Sequence, residues 1–187
     1  RGVADPAALI QQAKARRPGH AAGTNGTASP GKKTPANREI FLGDGPAPGS
    51  LAMLFPGPGS QYVGMLRDPA CGFPQVQESL AAWEHACEIE PRLGRRIYPS
   101  PTFLDEVRQR NDEQLRDTRS AQPAIGAISA SLLRILEQFS VRPALVAGHS
   151  YGELTALHAA GVIDEPSLAR LSARRGKLMA ESAANDE

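Results

Sequence analysis

The stretch "PALVAGHSYGELTALHAAG", Pro143 to Gly161, constrains the fold of this chain more than any other. Pro143 to Gly148 is a short apolar run that reads as a buried strand, and a run with helical spacing follows from Tyr151 to Gly161. Between them, in "GHSYGE", Gly148, Ser150 and Gly152 make the pattern G-x-S-x-G. Set between a strand and a helix, that pattern is a sharp, strained turn. Side chains at the glycine positions would collide with the neighbouring strand and helix. Ser150 Oγ then projects from the sheet, and the N–H groups that open the helix, beginning with Tyr151, point at whatever Ser150 attacks. With the helix dipole behind them, they can bind a developing oxyanion.

The rest of the chain is organised around this turn. "LAMLF", Leu51 to Phe55, is a second short apolar strand, and it runs into "FPGPGSQ", a tight loop in which two glycines flank Pro58. Helices are expected over Gln75–Glu90, stopped by Pro91, over Ala121–Val141, and over Pro166–Ala184 with Pro166 in the first turn. In the second of these, Ile125, Ile128, Leu132, Ile135, Leu136 and Phe139 recur on one face, and Pro123 suits a first-turn position. The polar stretch Arg96–Ser120 reads as short helix and loop. Strands alternating with helices indicate an α/β fold with a parallel sheet.

Residues 1–47 stand apart. "ADPAALIQQAKARR" can form a short helix, but "PGHAAGTNGTASPGKKTPANRE" has almost nothing to bury, cannot offset its ordering entropy, and reads as a flexible linker. A linker here suggests a domain taken from a longer chain, with the globular part over 48–187. A net charge of +1 and 5% aromatic residues argue against nucleic acid and against an anionic membrane. There is no apolar run of about 18 residues to span a bilayer, and the first residues lack the apolar core of a signal peptide. Cys71 and Cys87 have no metal-ligand spacing, so no metal is expected, and two reduced thiols fit a cytoplasmic protein.

A serine nucleophile needs a base. The chain has His20, His85, His149 and His158. His20 lies in the linker, His85 on the Trp83 helix and His158 too far along the helix after the turn, while His149, next to Ser150, cannot easily reach Oγ. Either the base is an unexpected residue or it lies outside these residues. A serine hydrolase such as a thioesterase or patatin-like enzyme, and a non-catalytic docking segment, stand as alternatives to an acyl-transferring enzyme.

"LFPGPGSQYVGM", "AQPAIGAISASLLRIL", "VAGHSYGELTALHAAGVID" and "RRGKLM", in that order, resemble the signposts of malonyl-CoA:acyl carrier protein transacylases and of the acyltransferase domains of polyketide and fatty acid synthases. The tyrosine in "GHSYGE" is similar to iterative synthases of the enediyne and polyunsaturated fatty acid kind. The resemblance implies an α/β-hydrolase-like parallel sheet with flanking helices, of which 48–187 is the first part. The family's catalytic histidine, second specificity motif and inserted ferredoxin-like subdomain are expected beyond Glu187. Residues 1–47 resemble a ketosynthase–acyltransferase linker.

By the same resemblance, Ser150 would take a malonyl group from malonyl-CoA and pass it to the phosphopantetheine thiol of an acyl carrier protein. His149 would shape the pocket, Arg175 would pair with the free malonate carboxylate, and Gln61 would join the substrate-binding set. No cofactor would be bound. The implied partners are the carrier protein, a neighbouring ketosynthase and the remainder of the acyltransferase domain. Arg175 suits its role chemically, since a guanidinium forks onto a carboxylate. One departure matters. The family has glutamine where this chain has Pro58, and that residue's N–H is one of two oxyanion donors. Proline has no N–H, and losing such a donor costs roughly 2.7–4 kcal/mol. The proline either weakens the oxyanion hole or shifts the duty to Gly59 N–H or to water, with Tyr151 N–H as the main donor. Tyr151, bulky and next to the nucleophile, is expected to crowd the substrate's α-carbon and favour malonyl over methylmalonyl.

Overall fold

Two short strands, far apart in sequence, lie side by side and in parallel. In the computed structural model, β1 (Ala52–Phe55) pairs with β2 (Leu145–Gly148) in the register Ala52↔Leu145 to Phe55↔Gly148. The structure describes Gln11 and residues 49–87 and 92–185. Apart from Gln11, the helix and linker expected within 1–47 lie outside the described residues, as does the end of the helix expected to stop at Pro91. Among the described residues, five helices form the crossover: α1 (Arg67–Gly72), α2 (Pro74–Cys87), α3 (Leu93–Ile97), α4 (Asp105–Arg116) and α5 (Thr118–Gln138). After β2 come α6 (Gly152–Ala159) and α7 (Glu165–Asn185).

Helix α5 is the spine. Every residue from Ser120 to Ser131 is buried, so the helix is enclosed on all sides rather than along one stripe. Its composition explains this, because Ala121, Ala124, Gly126, Ala127 and Ala130 let neighbouring helices approach closely. Around it gather Val76, Trp83, Leu93, Ile97, Leu115 and Leu168, all essentially inaccessible. Each such side chain contributes roughly 1.5–3 kcal/mol of burial.

Four expectations need correction. Helix α5 begins at Thr118, capped by the Asp117 carboxylate, which accepts from Arg119 N–H at 2.9 Å. Pro123 therefore lies inside the helix and not in its first turn. Of the expected apolar face, Leu132 and Phe139 are exposed, although Leu133 and Ile135 between them are buried, so the side of the helix that enters the core is not wholly the expected one; Phe139 instead packs edge-on against Phe73, with ring centroids 6.3 Å apart. The polar stretch read as short helix and loop contains α4, twelve residues long, which buries only Leu115. A lone apolar anchor leaves no periodicity to detect. Finally, neither strand is buried on both faces. Met53, Phe55, Val146 and Gly148 face the helices, while Leu54 (77% exposed) and Leu145 (67%) stand on an open face. Parallel sheets are ordinarily covered on both sides, and among the described residues this one is not.

One charge anchors the packing of α2 against α7. The Glu165 carboxylate, buried at the start of α7, accepts from Ser79 Oγ at 2.6 Å and Trp83 Nε1 at 2.8 Å, and pairs with Arg134 of α5. Its place in the first turn also suits the helix dipole. Glu165→Ala leaves the Ser79 hydroxyl and the indole N–H buried without an acceptor, and is expected to cost about 2–4 kcal/mol. Glu165→Gln keeps an acceptor oxygen and should lose less. Urea unfolding followed by the fluorescence of Trp83 measures both, and equal losses would overturn this account.

Candidate active site

Ser150 sits at φ 55, in the left-handed region. Its surroundings enforce that conformation. A Cβ on Gly148 would lie 2.1 Å from the backbone of Gly152, and one on Gly152 would lie 2.1 Å from the carbonyl oxygen of Phe55 on β1. The turn is tied down by backbone bonds from His149 N–H to Phe55 O (3.1 Å), Gly152 N–H to His149 O (2.9 Å) and Glu153 N–H to Ser150 O (3.3 Å). The Tyr151 N–H, between these donors, has no acceptor among the described residues. A free N–H at the mouth of a helix, one residue past a projecting hydroxyl, is the geometry that an oxyanion needs.

Arg175 comes to the same place from α7. Its guanidinium lies 3.4 Å from Ser150 Oγ and donates at 2.9 Å to Gln122 Oε1 of α5. Gln122 is wholly buried, and its amide contacts the Met179 sulfur at 3.1 Å. Arg175 is thus half-buried and aimed at Ser150, whereas its neighbour Arg174 is exposed. Gln122 was not singled out in the sequence, although a glutamine among alanines at the head of the most apolar helix is a visible signal.

The loop after β1 packs behind the serine. A Cβ on Gly57 would lie 2.6 Å from His149 O and 3.3 Å from Ser150 Cβ. Pro58 is exposed at the turn, which closes through Ser60 N–H and Oγ onto Gly57 O at 3.3 and 2.9 Å. Gly59, at φ 104, already donates its N–H to the Gln61 carboxamide at 2.8 Å. Gln61 therefore braces the loop. His149 is exposed with its ring beside Gly57. None of the described histidines bonds Ser150; His158 meets Ile163 O at 3.0 Å instead. An apolar cavity of about 390 Å³ lies along α7 beside Arg175, between Leu154, Leu171, Leu178 and Met179, and Ser150 is not in its wall.

The expectation for the Tyr151 side chain is overturned. It is fully buried beneath the turn, with its hydroxyl 2.6 Å from Ser172 Oγ, so it cannot crowd a substrate on the exposed side. Burial pushes its phenol well above the usual range. Burial likewise raises the Cys87 thiol to about 11, and the thiol points at Ala169 O. Among the described residues no group of three or more His, Cys, Asp or Glu side chains could hold a metal ion, and no helix is long and apolar enough to cross a membrane.

Residues 52–187 match the family described as the acyl transferase domain. The malonyl CoA-acyl carrier protein transacylase of Escherichia coli O157:H7 is 40% identical over 133 residues, which is 71% of this chain and 39% of that protein. The mycoketide-CoA synthase of Mycobacterium tuberculosis is 38% identical over 141 residues, 75% of this chain and 3% of that one. The chain thus spans well under half the length of these relatives. Among solved structures, a malonyl-transacylase in complex with its type II polyketide synthase acyl-carrier protein superposes with a TM-score of 0.61 at 39% identity, covering 71% of this chain and 40% of that one.

The strain at Ser150 has a measurable consequence. Ser150→Gly and Ser150→Ala both remove the hydroxyl, but only glycine accepts the left-handed backbone freely. Ser150→Gly should be more stable than Ser150→Ala by about 1 kcal/mol, as read from their urea midpoints. Equal midpoints would mean that the turn is not strained.

Proposed function

The chain belongs to the acyl transferase domain family, and on that premise we propose that it loads a malonyl group from malonyl-CoA onto Ser150 and hands it to the phosphopantetheine thiol of an acyl carrier protein. The observation that supports this most is the Arg175 guanidinium, 3.4 Å from Ser150 Oγ and backed by a buried glutamine. A cation held there suits an acyl group that ends in a carboxylate. A hydrolase of neutral esters has no use for it.

Ser150 Oγ attacks the thioester carbonyl and gives its proton to a base that lies outside the described residues. The Tyr151 N–H receives the oxyanion while Arg175 holds the free carboxylate. The tetrahedral intermediate collapses, the C–S bond breaks, and coenzyme A leaves as its thiol with the proton returned. The carrier's thiol then attacks the malonyl-serine ester by the same steps in reverse order. Nothing in this chemistry requires a bound metal or organic cofactor, and a CoA-dependent reaction fits a cytoplasmic location.

We assign residues 48–187 to the first part of the catalytic subdomain and 1–47 to a linker from a neighbouring ketosynthase. The remainder of the acyltransferase domain is the partner that would bring the base and cover the open face of Leu54 and Leu145. The 39% span of the E. coli relative supports that division.

Denaturing intact-mass spectra after malonyl-CoA test the reading. Wild type should gain one malonyl group and Ser150→Ala none. Arg175→Ala should load malonyl roughly 10–100 times more slowly, the loss of a charge-assisted pair, and acetyl less so. Absence of any acyl-Ser150 in the folded full-length protein would remove the proposal.

Pro58→Gln supplies a donor at position 58 and should raise the acylation rate by up to about tenfold, short of the 10²–10³ expected of one oxyanion donor, because Gly59 N–H can serve instead at the cost of its exposed bond to Gln61. Stopped-flow release of coenzyme A measures it, and an unchanged rate would show that the lost N–H is already replaced.

A further inference from the structure

The buried side chain of Tyr151 plays no part in the transfer described above, yet the fold makes specific room for it. A Cβ on Gly126 of α5 would lie 2.0 Å from the Tyr151 hydroxyl and 2.4 Å from the Trp83 ring, so this tyrosine fits only because α5 has no side chain there. The hydroxyl ends 2.6 Å from Ser172 Oγ. Ser172 gives its own proton to Leu168 O at 2.6 Å. A serine hydroxyl has one hydrogen to donate, so Tyr151 is the donor and Ser172 the acceptor, and the phenol stays neutral. Both groups are wholly buried, and no water competes for the bond.

Ser172 and Arg175 are three residues apart on α7, neighbours on one face of the helix. Tyr151 is the residue after Ser150. One buried hydrogen bond therefore ties the turn that carries the nucleophile to the helix that carries the guanidinium. Gln122 fixes Arg175 from the α5 side, and Tyr151 fixes the helix it stands on.

We propose that Tyr151 is a positioning residue which, through its bond to Ser172, sets the separation between Ser150 Oγ and the Arg175 guanidinium, and thereby the preference for acyl groups ending in a carboxylate. The role rests on the malonyl-transfer reading above. A malonyl group must reach both ends of that separation at once, whereas an acetyl group engages the serine end alone. Displacing one end relative to the other by an ångström is enough to cost a hundredfold where two contacts must be made together.

The test compares wild type, Tyr151→Phe, Ser172→Ala and the double variant in the full-length protein, measuring initial rates of Ser150 acylation from malonyl-CoA and from acetyl-CoA. Each single variant should lower the malonyl-over-acetyl ratio by about tenfold, one of the two decades of a full misplacement, chiefly through a raised KM for malonyl-CoA. The double variant should lose no more than the worse single one, because both changes remove the same bond. A loss equal for the two acyl groups, additive losses, or an unchanged ratio in Tyr151→Phe would each overturn the positioning role while leaving malonyl transfer intact. A folded wild type that never acylates Ser150 would instead bring down the transfer reading and this inference with it.

Discussion

Ser150 is held at φ 55 because its neighbours leave the chain no other route. Gly152 touches the carbonyl of Phe55, and Gly148 touches Gly152, so strand, turn and helix occupy one another's side-chain space. That contact is possible only with Phe55 opposite Gly148 in the sheet, which fixes the register of both strands. The register in turn carries the loop after β1 behind the serine, where Gly57 meets His149 and Ser150. A left-handed serine costs of order 1–3 kcal/mol and persists only where packing over-determines it. Here the packing comes from both strands, from α6 and from the tyrosine beneath.

The second requirement is a cation near a hydroxyl inside a mostly apolar helix pair. A half-buried guanidinium has lost part of its water, and needs acceptors in exchange. Gln122 supplies one from within α5, at the cost of placing a carboxamide in the fully buried core. The small residues around it make that affordable in space, and the Met179 sulfur completes its surroundings. Arg175 has a neutral acceptor and a hydroxyl at 3.4 Å, and a carboxylate is a stronger partner for a guanidinium than either.

What was legible in the sequence follows from how local each signal is. The turn at Ser150 could be read because Gly148 acts on Gly152 only four residues on, and the strand before it and the helix after it are adjacent, while the contact of Gly152 with Phe55 of β1 is distant in sequence. The loop at Pro58 could be read from its glycines and from the missing N–H. The side chain of Tyr151 was misread because its direction is decided by Gly126, which lies on another helix and leaves no trace next to the serine. The length and bounds of α4 could not be read within a stretch expected to be short helix and loop, because Leu115 is its only buried anchor. The amphipathic reading of α5 failed differently: Ile125, Ile128 and Ile135 are buried as expected, but alanines and serines bury the other faces, and small residues carry little hydrophobic signal.

Pro58 leaves an accounting question that the loop geometry goes some way to answer. In the proposed reaction, with no donor at position 58, the Tyr151 N–H meets the oxyanion alone unless Gly59 turns toward it. Gly59 is not idle, since its N–H is held by the Gln61 carboxamide at 2.8 Å. That bond lies at an exposed turn, where a hydrogen bond is worth about 0.5–1.5 kcal/mol net. A second oxyanion donor is worth roughly 2.7–4 kcal/mol in the transition state. The balance favours releasing Gln61 as negative charge develops, and glycine at φ 104 has the backbone freedom to follow. In the proposed reaction, then, the glutamine that braces the loop competes with the transition state for one N–H, and the transition state has the stronger claim.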